Sequence, residues 1–148
     1  MRALADTPDR VELIYHGLDL ARFPPPPERS APSGAVRFLS VGRLVEKKGF
    51  DRLIEALALL PADLDWQWEH IGGGDGAVLK LPADRLAISD RIIWPGACDQ
   101  PAVIAAMRGA AVFVLPSRLA ADGHRDGLPN VPLAAASPKL PLLSTPVS

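Results

Sequence analysis

The strongest constraint in this sequence is an alternation. Short apolar runs that stop on glycine or proline take turns with stretches whose apolar residues recur every three or four positions. The runs at 36–41 (VRFLSV), 66–71 (WQWEHI), 91–94 (RIIW) and 111–115 (AVFVL) read as strands, ending at Gly42, Gly72, Pro95 and Pro116. Between them, 48–60 places Phe50, Leu53, Ile54, Leu57 and Leu60 on one helix face, and Pro61 ends it. A second helix is expected over 78–87, flawed by Pro82, and a third over 101–108 with Pro101 in its first turn. Residues 128–137 suit a further helix and 140–144 a last strand. Strand–helix alternation with short connections predicts an α/β fold, a parallel sheet with helices on both faces. In such sheets ligands bind outside the carboxyl ends of the strands.

The N-terminal part differs. Residues 11–15 (VELIY) read as a short strand followed by a turn at His16-Gly17. Residues 24–34 (PPPPERSAPSG) lack the donors and the φ freedom that a helix or central strand needs. We therefore expect residues 1–34 to form a strand, a turn and a Pro-rich linker, and 35–148 to form the folded domain. Balanced charge, 16 basic against 17 acidic side chains, gives no global field for nucleic acid or an anionic membrane. The one cysteine, Cys98, excludes an internal disulfide and is expected to be a small buried apolar group. No apolar stretch is long enough to span a bilayer, and the first residues lack the apolar core of a signal peptide. The expected location is cytoplasmic, at most peripheral at the inner membrane.

Three turns carry candidate chemistry. Gly42 to Gly49 (GRLVEKKG) sets Arg43 and Lys48 around a strand-to-helix loop, where two cations beside helix N–H groups could clamp a diphosphate. Composition alone favours solvated surface charges there. Gly72-Gly73-Gly74-Asp75-Gly76-Ala77 fits the loose pattern G-x-G-x-x-A, but a tight turn with Asp75 as a cap accounts for it more simply. In the third turn, Asp122, His124 and Asp126 alternate, a spacing that metal ligands can have but without a distant fourth ligand. Gly127 and Leu128 could open a helix whose N–H groups face a ligand, with Asp126 accepting from a hydroxyl-rich one; an N-cap role for Asp126 is equally open. His16 and His70 read as turn and strand residues. Trp66, Trp68 and Trp94 read as core.

Taken in order, VELIYHGLDLARF, RFLSVGRLVEKKGFDRLIEAL, HIGGGDG, DRIIWPGA, FVLPSRLAADG and DGLPNV resemble the donor-binding domain of glycosyltransferase family 4, the retaining GT-B enzymes, and most nearly the bacterial exopolysaccharide type. The resemblance covers residues 11–131. It implies one Rossmann-like half of a GT-B hexosyltransferase, with a nucleoside-diphosphate sugar as donor substrate and no cofactor. Arg43 and Lys48 would grip the diphosphate. Gly42, Gly73, Gly74, Gly127 and Leu128 would line the donor cleft, and Asp126 would be the catalytic acid contacting the transferred sugar. No metal is implied, because cations and helix N-termini can stabilise the leaving diphosphate.

The sequence also departs from that pattern. Ala134 stands where the second acid of the family's pair would bond the nucleotide ribose, and losing such a partner costs about 1–3 kcal/mol. Lys139 stands where the family has glycine, so a positive φ there would strain it. The family continues past Thr145 and carries an acceptor domain ahead of this one. The resemblance thus implies a fragment, a split subunit or a decayed remnant, inactive alone, with apolar sheet surface for an N-terminal acceptor domain or a partner chain to cover. A non-catalytic nucleotide-sugar-binding module is the alternative. An NAD-dependent oxidoreductase, suggested only by GGGDGA, lacks a ribose-binding acid after the next strand.

Overall fold

The computed structural model describes residues 34–118 and 139–145. Five parallel strands form one sheet in the order β3-β2-β1-β4-β5. They are β1 (Val36–Val41), β2 (Trp66–Ile71), β3 (Ile92–Gly96), β4 (Val112–Leu115) and β5 (Leu142–Ser144). Helices α1 (Phe50–Leu57), α2 (Ala77–Arg85) and α3 (Gln100–Gly109) connect the first four. Among these residues no helix is long and apolar enough to cross a membrane.

Strand alternation decides what each face carries. In β2, Trp66, Trp68 and His70 point to one side and Ile71 to the other. The first side is covered by α1 and α2, whose Phe50, Leu53, Ile54, Leu57 and Leu79 pack on Trp66, Trp68 and Ile92. The opposite side packs Leu39, Ile71, Phe113, Leu115 and Leu140 around Met107 of α3. Burying each such side chain contributes about 1.5–3 kcal/mol. Between the strands, the Trp68 Nε1–H donates to Ser40 Oγ (3.1 Å), and Ser40 donates to the Val114 carbonyl (2.8 Å). The buried hydroxyl and indole are thereby satisfied.

Several boundaries depart from expectation. The helix over 48–60 is shorter: Glu46–Lys48 form a separate 3-10 turn, and Gly49, at φ 65°, breaks it from α1. Arg91 belongs to a 3-10 turn (Ser89–Arg91), and β3 continues through Pro95 to Gly96. Proline is tolerated there because β3 lies at the sheet edge and needs no donor on its outer side. Helix α2 carries Pro82 inside it. Helix α3 starts as expected, with Pro101 in its first turn and Asp99 accepting from the Ala102 N–H (3.0 Å). Cys98 is exposed, not buried, because it lies in the loop leading out of the sheet to that cap. Lys139 has a φ of 54°. The expected strand at 11–15, all of the linker at 24–34 except Gly34, and the helix at 128–137 lie outside the described residues.

Candidate functional site

The strand order sets the place. From β1 the chain builds outward through β2 and β3, then crosses back to lay β4 on the other side of β1. The order reverses at the carboxyl ends of β1 and β4, where open α/β sheets form their ligand crevice. Two loops meet there: 42–49 after β1, and 116–118 after β4.

Gly42 opens the first loop, its N–H donating to the Ile71 carbonyl (2.9 Å). The Lys48 side chain folds back over it, so that a Cβ on Gly42 would lie 3.5 Å from Lys48 Cε and 3.8 Å from Nζ. The turn that carries it is closed by its backbone: the Lys48 N–H donates to the Val45 carbonyl (2.9 Å) and the Gly49 N–H to the Glu46 carbonyl (3.0 Å). Arg43 is exposed beside Gly42. The structure therefore sets Gly42, Arg43 and Lys48 at one place, the carboxyl end of β1.

The glycine turn after β2 leans against this loop. The Leu44 N–H donates to the Gly73 carbonyl (2.9 Å), and a Cβ on Gly74 would stand 2.7 Å from that of Leu44. At Gly72 a Cβ would fall 1.9 Å from the Gly42 carbonyl oxygen, whereas at Gly73 it would meet nothing within 4 Å among the described residues. Asp75 turns aside as a cap, its Oδ1 accepting from the Ala77 N–H (3.0 Å). The turn is thus closed by its own geometry, and no described residue would touch a side chain at Gly73.

Beneath the two glycine turns lies His70, 1 % exposed. Phe50, Trp68 and Trp94 surround it, with ring centroids 4.5, 5.8 and 5.5 Å away. Burial pushes its pKa down to about 4, against a smaller opposing effect of the Gly42 backbone. Its Nε2 is buried without a hydrogen-bond partner among the described residues. At neutral pH the ring is uncharged, as expected of a strand residue in the core.

Spacing did not single out Arg118, and no local signal could have, because its partners Glu46, Lys47 and Asp51 lie far back in the sequence, Glu46 by 72 positions. Its N–H donates to the Lys47 carbonyl (2.8 Å) and its Nε to the Glu46 carbonyl (3.1 Å). Its guanidinium pairs with Asp51 (3.0 Å) and Glu46 (3.5 Å). A cavity of about 250 Å³ beside this contact is lined by Glu46, Asp51 and Asp75 against the single cation Arg118, the wrong balance for a diphosphate. Arg43 and Lys48 are not among the residues lining this cavity. Asp122, His124, Asp126, Gly127, Leu128 and Ala134 lie outside the described residues.

The profile of a family described as Glycosyl transferases group 1 matches residues 26–148. The chain belongs to this family. Among glycosyl transferases of group 1, it is 31 % identical over 139 residues to the colanic acid biosynthesis glycosyltransferase WcaL of Escherichia coli K12, covering 93 % of this chain and 34 % of WcaL. It is 34 % identical over 119 residues to the amylovoran biosynthesis glycosyltransferase AmsK of Erwinia amylovora, covering 79 % of this chain and 29 % of AmsK. It therefore spans about a third of these relatives. Of solved structures, the lipopolysaccharide outer core galactosyltransferase WaaB superposes with a TM-score of 0.70 at 26 % identity, over 96 % of this chain and 38 % of WaaB. The observed sheet is thus that of a Rossmann-like GT-B half.

Proposed function

We propose that this chain is the donor-binding half of a glycosyltransferase that transfers a sugar from a nucleoside diphosphate to a saccharide or lipid-linked acceptor, in exopolysaccharide assembly. Residues 35–148 form the nucleotide-sugar domain, and 1–34 lead into it. Arg43 and Lys48 hold the donor diphosphate and offset the charge that builds on it as the sugar departs. Gly42, Gly73 and Gly74 let the backbone approach the donor. Asp126 contacts the transferred sugar, and the N–H groups of Gly127 and Leu128 follow it. Group 1 membership and the relatives named for colanic acid and amylovoran biosynthesis support the reaction class.

The observation that carries this reading is the closure of Lys48 over Gly42 at the reversal of strand order. Calorimetry with UDP, GDP, UDP-glucose, GDP-mannose and NAD tests it. A nucleoside diphosphate should bind at millimolar strength or better, and Arg43→Ala and Lys48→Ala should each weaken it on the order of tenfold. A folded protein that binds NAD alone, or no nucleotide at all, overturns the proposal. The chain by itself should show no turnover with nucleotide sugars and lipid-linked acceptors, since acceptor recognition belongs to the other half of a GT-B enzyme. Turnover without an added subunit would reject that part.

A further inference from the structure

We propose that Arg118 is a positioning residue for Lys48, holding the diphosphate loop in its binding conformation from the far side of the strand-order reversal. This rests on the donor-site reading above. Lys48 ends a three-residue turn, and a single 3-10 turn has little stability of its own. Two of its carbonyls, those of Glu46 and Lys47, are taken by Arg118, through Nε and through the backbone N–H. The guanidinium then spans from Glu46 to Asp51 in the first turn of α1, tying the turn to the helix that follows it. Backbone and side chain of Arg118 thus hold the turn together, and the planar fork of the guanidinium links Glu46 to α1 with several donors at set angles. The same pairing offsets part of the negative charge of Glu46 and Asp51 beside the loop.

A lysine side chain has many rotamers, and the arrangement over Gly42 places the Lys48 amine at the end of β1. Arg118 acts on that arrangement through the backbone of residues 46–48, without being required to touch the nucleotide.

The test combines binding with amide exchange. In Arg118→Met, the amides of Lys48 and Gly49 should exchange at least tenfold faster, while those of β1 and β2 stay protected and report an intact fold. Affinity for UDP or GDP should fall on the order of tenfold. In a Lys48→Ala background, Arg118→Met should add almost nothing, because the two residues act as one unit. Arg118→Lys keeps the charge but loses the fork, and should not restore affinity. Additive losses, rescue by lysine, or unchanged exchange at Lys48 and Gly49 would each overturn the inference. If Arg118→Met does not fold, Asp51→Asn removes the 3.0 Å ion pair and should speed the same amides. Should the wild-type chain bind no nucleoside diphosphate, the donor-site reading fails, while the exchange measurement still decides the role of Arg118.

Discussion

Gly49 lies against Pro116 so closely that a Cβ on Gly49 would stand 2.0 Å from the Pro116 carbonyl oxygen. The same glycine has a φ of 65°, in the left-handed region. Two independent demands thus converge on one position, where the loop after β1 meets the loop after β4. Gly49→Ala should destabilise the chain by about 2–4 kcal/mol, combining left-handed strain with displacement of backbone that cannot yield cheaply. Urea unfolding measures it; a change below about 0.5 kcal/mol would mean that the two loops do not touch in solution.

The glycine turn after β2 makes a paired prediction. Gly72→Ala would place its methyl 1.9 Å from the Gly42 carbonyl and should cost at least about 2 kcal/mol. Gly73→Ala meets nothing within 4 Å among the described residues and should change stability by less than about 0.5 kcal/mol. If Gly73 faces the donor, that stable variant should still lose nucleotide affinity. Thermal unfolding and calorimetry on the two variants separate packing from binding.

What the sequence made legible follows from where its physical signals are local. The bounds of β1 and β2 match their apolar runs because glycine stops each one within a residue. The end of β3 was misplaced because Pro95 reads as a breaker, and nothing local says that the strand lies at an edge. The expected helix starts too early, at 48, because the apolar face from Phe50 onward gives no sign that left-handed Gly49 separates the preceding turn from α1. Cys98 was placed inside by its residue type, although the Asp99 cap draws its loop outward. At the site, Gly42, Arg43 and Lys48 were visible as a cluster within seven positions of sequence. Arg118 was not, because its role exists only once β4 is laid beside β1.

Lys139 offers a stabilising substitution. Its φ of 54° is left-handed, a conformation that costs an ordinary L-residue about 1–2 kcal/mol. The residue is exposed, so replacing it removes little packing. Lys139→Gly should raise stability by roughly 0.5–1 kcal/mol after the greater chain entropy of unfolded glycine is subtracted. A lower urea midpoint than wild type would show that the lysine side chain contributes more than its backbone strain removes.

His70 should make stability depend on pH in a defined window. Its native pKa is held near 4 by burial, against an ordinary value of 6.5. Between these values the unfolded chain binds the proton and the native chain does not, so acid favours unfolding. The contribution of His70 is therefore complete above about pH 6.5 and is lost as pH falls towards 4, by at most about 3 kcal/mol. Below pH 4 both states are protonated and this slope ends. His70→Phe removes the titrating group and the buried Nε2 while keeping a ring against Phe50, Trp68 and Trp94. Urea unfolding of both proteins at pH 7.5 and pH 5 isolates the effect from that of the carboxylates common to them. The wild type should lose more stability than the variant between those two values, and equal losses would mean that the imidazole is not buried uncharged beneath the glycine turns.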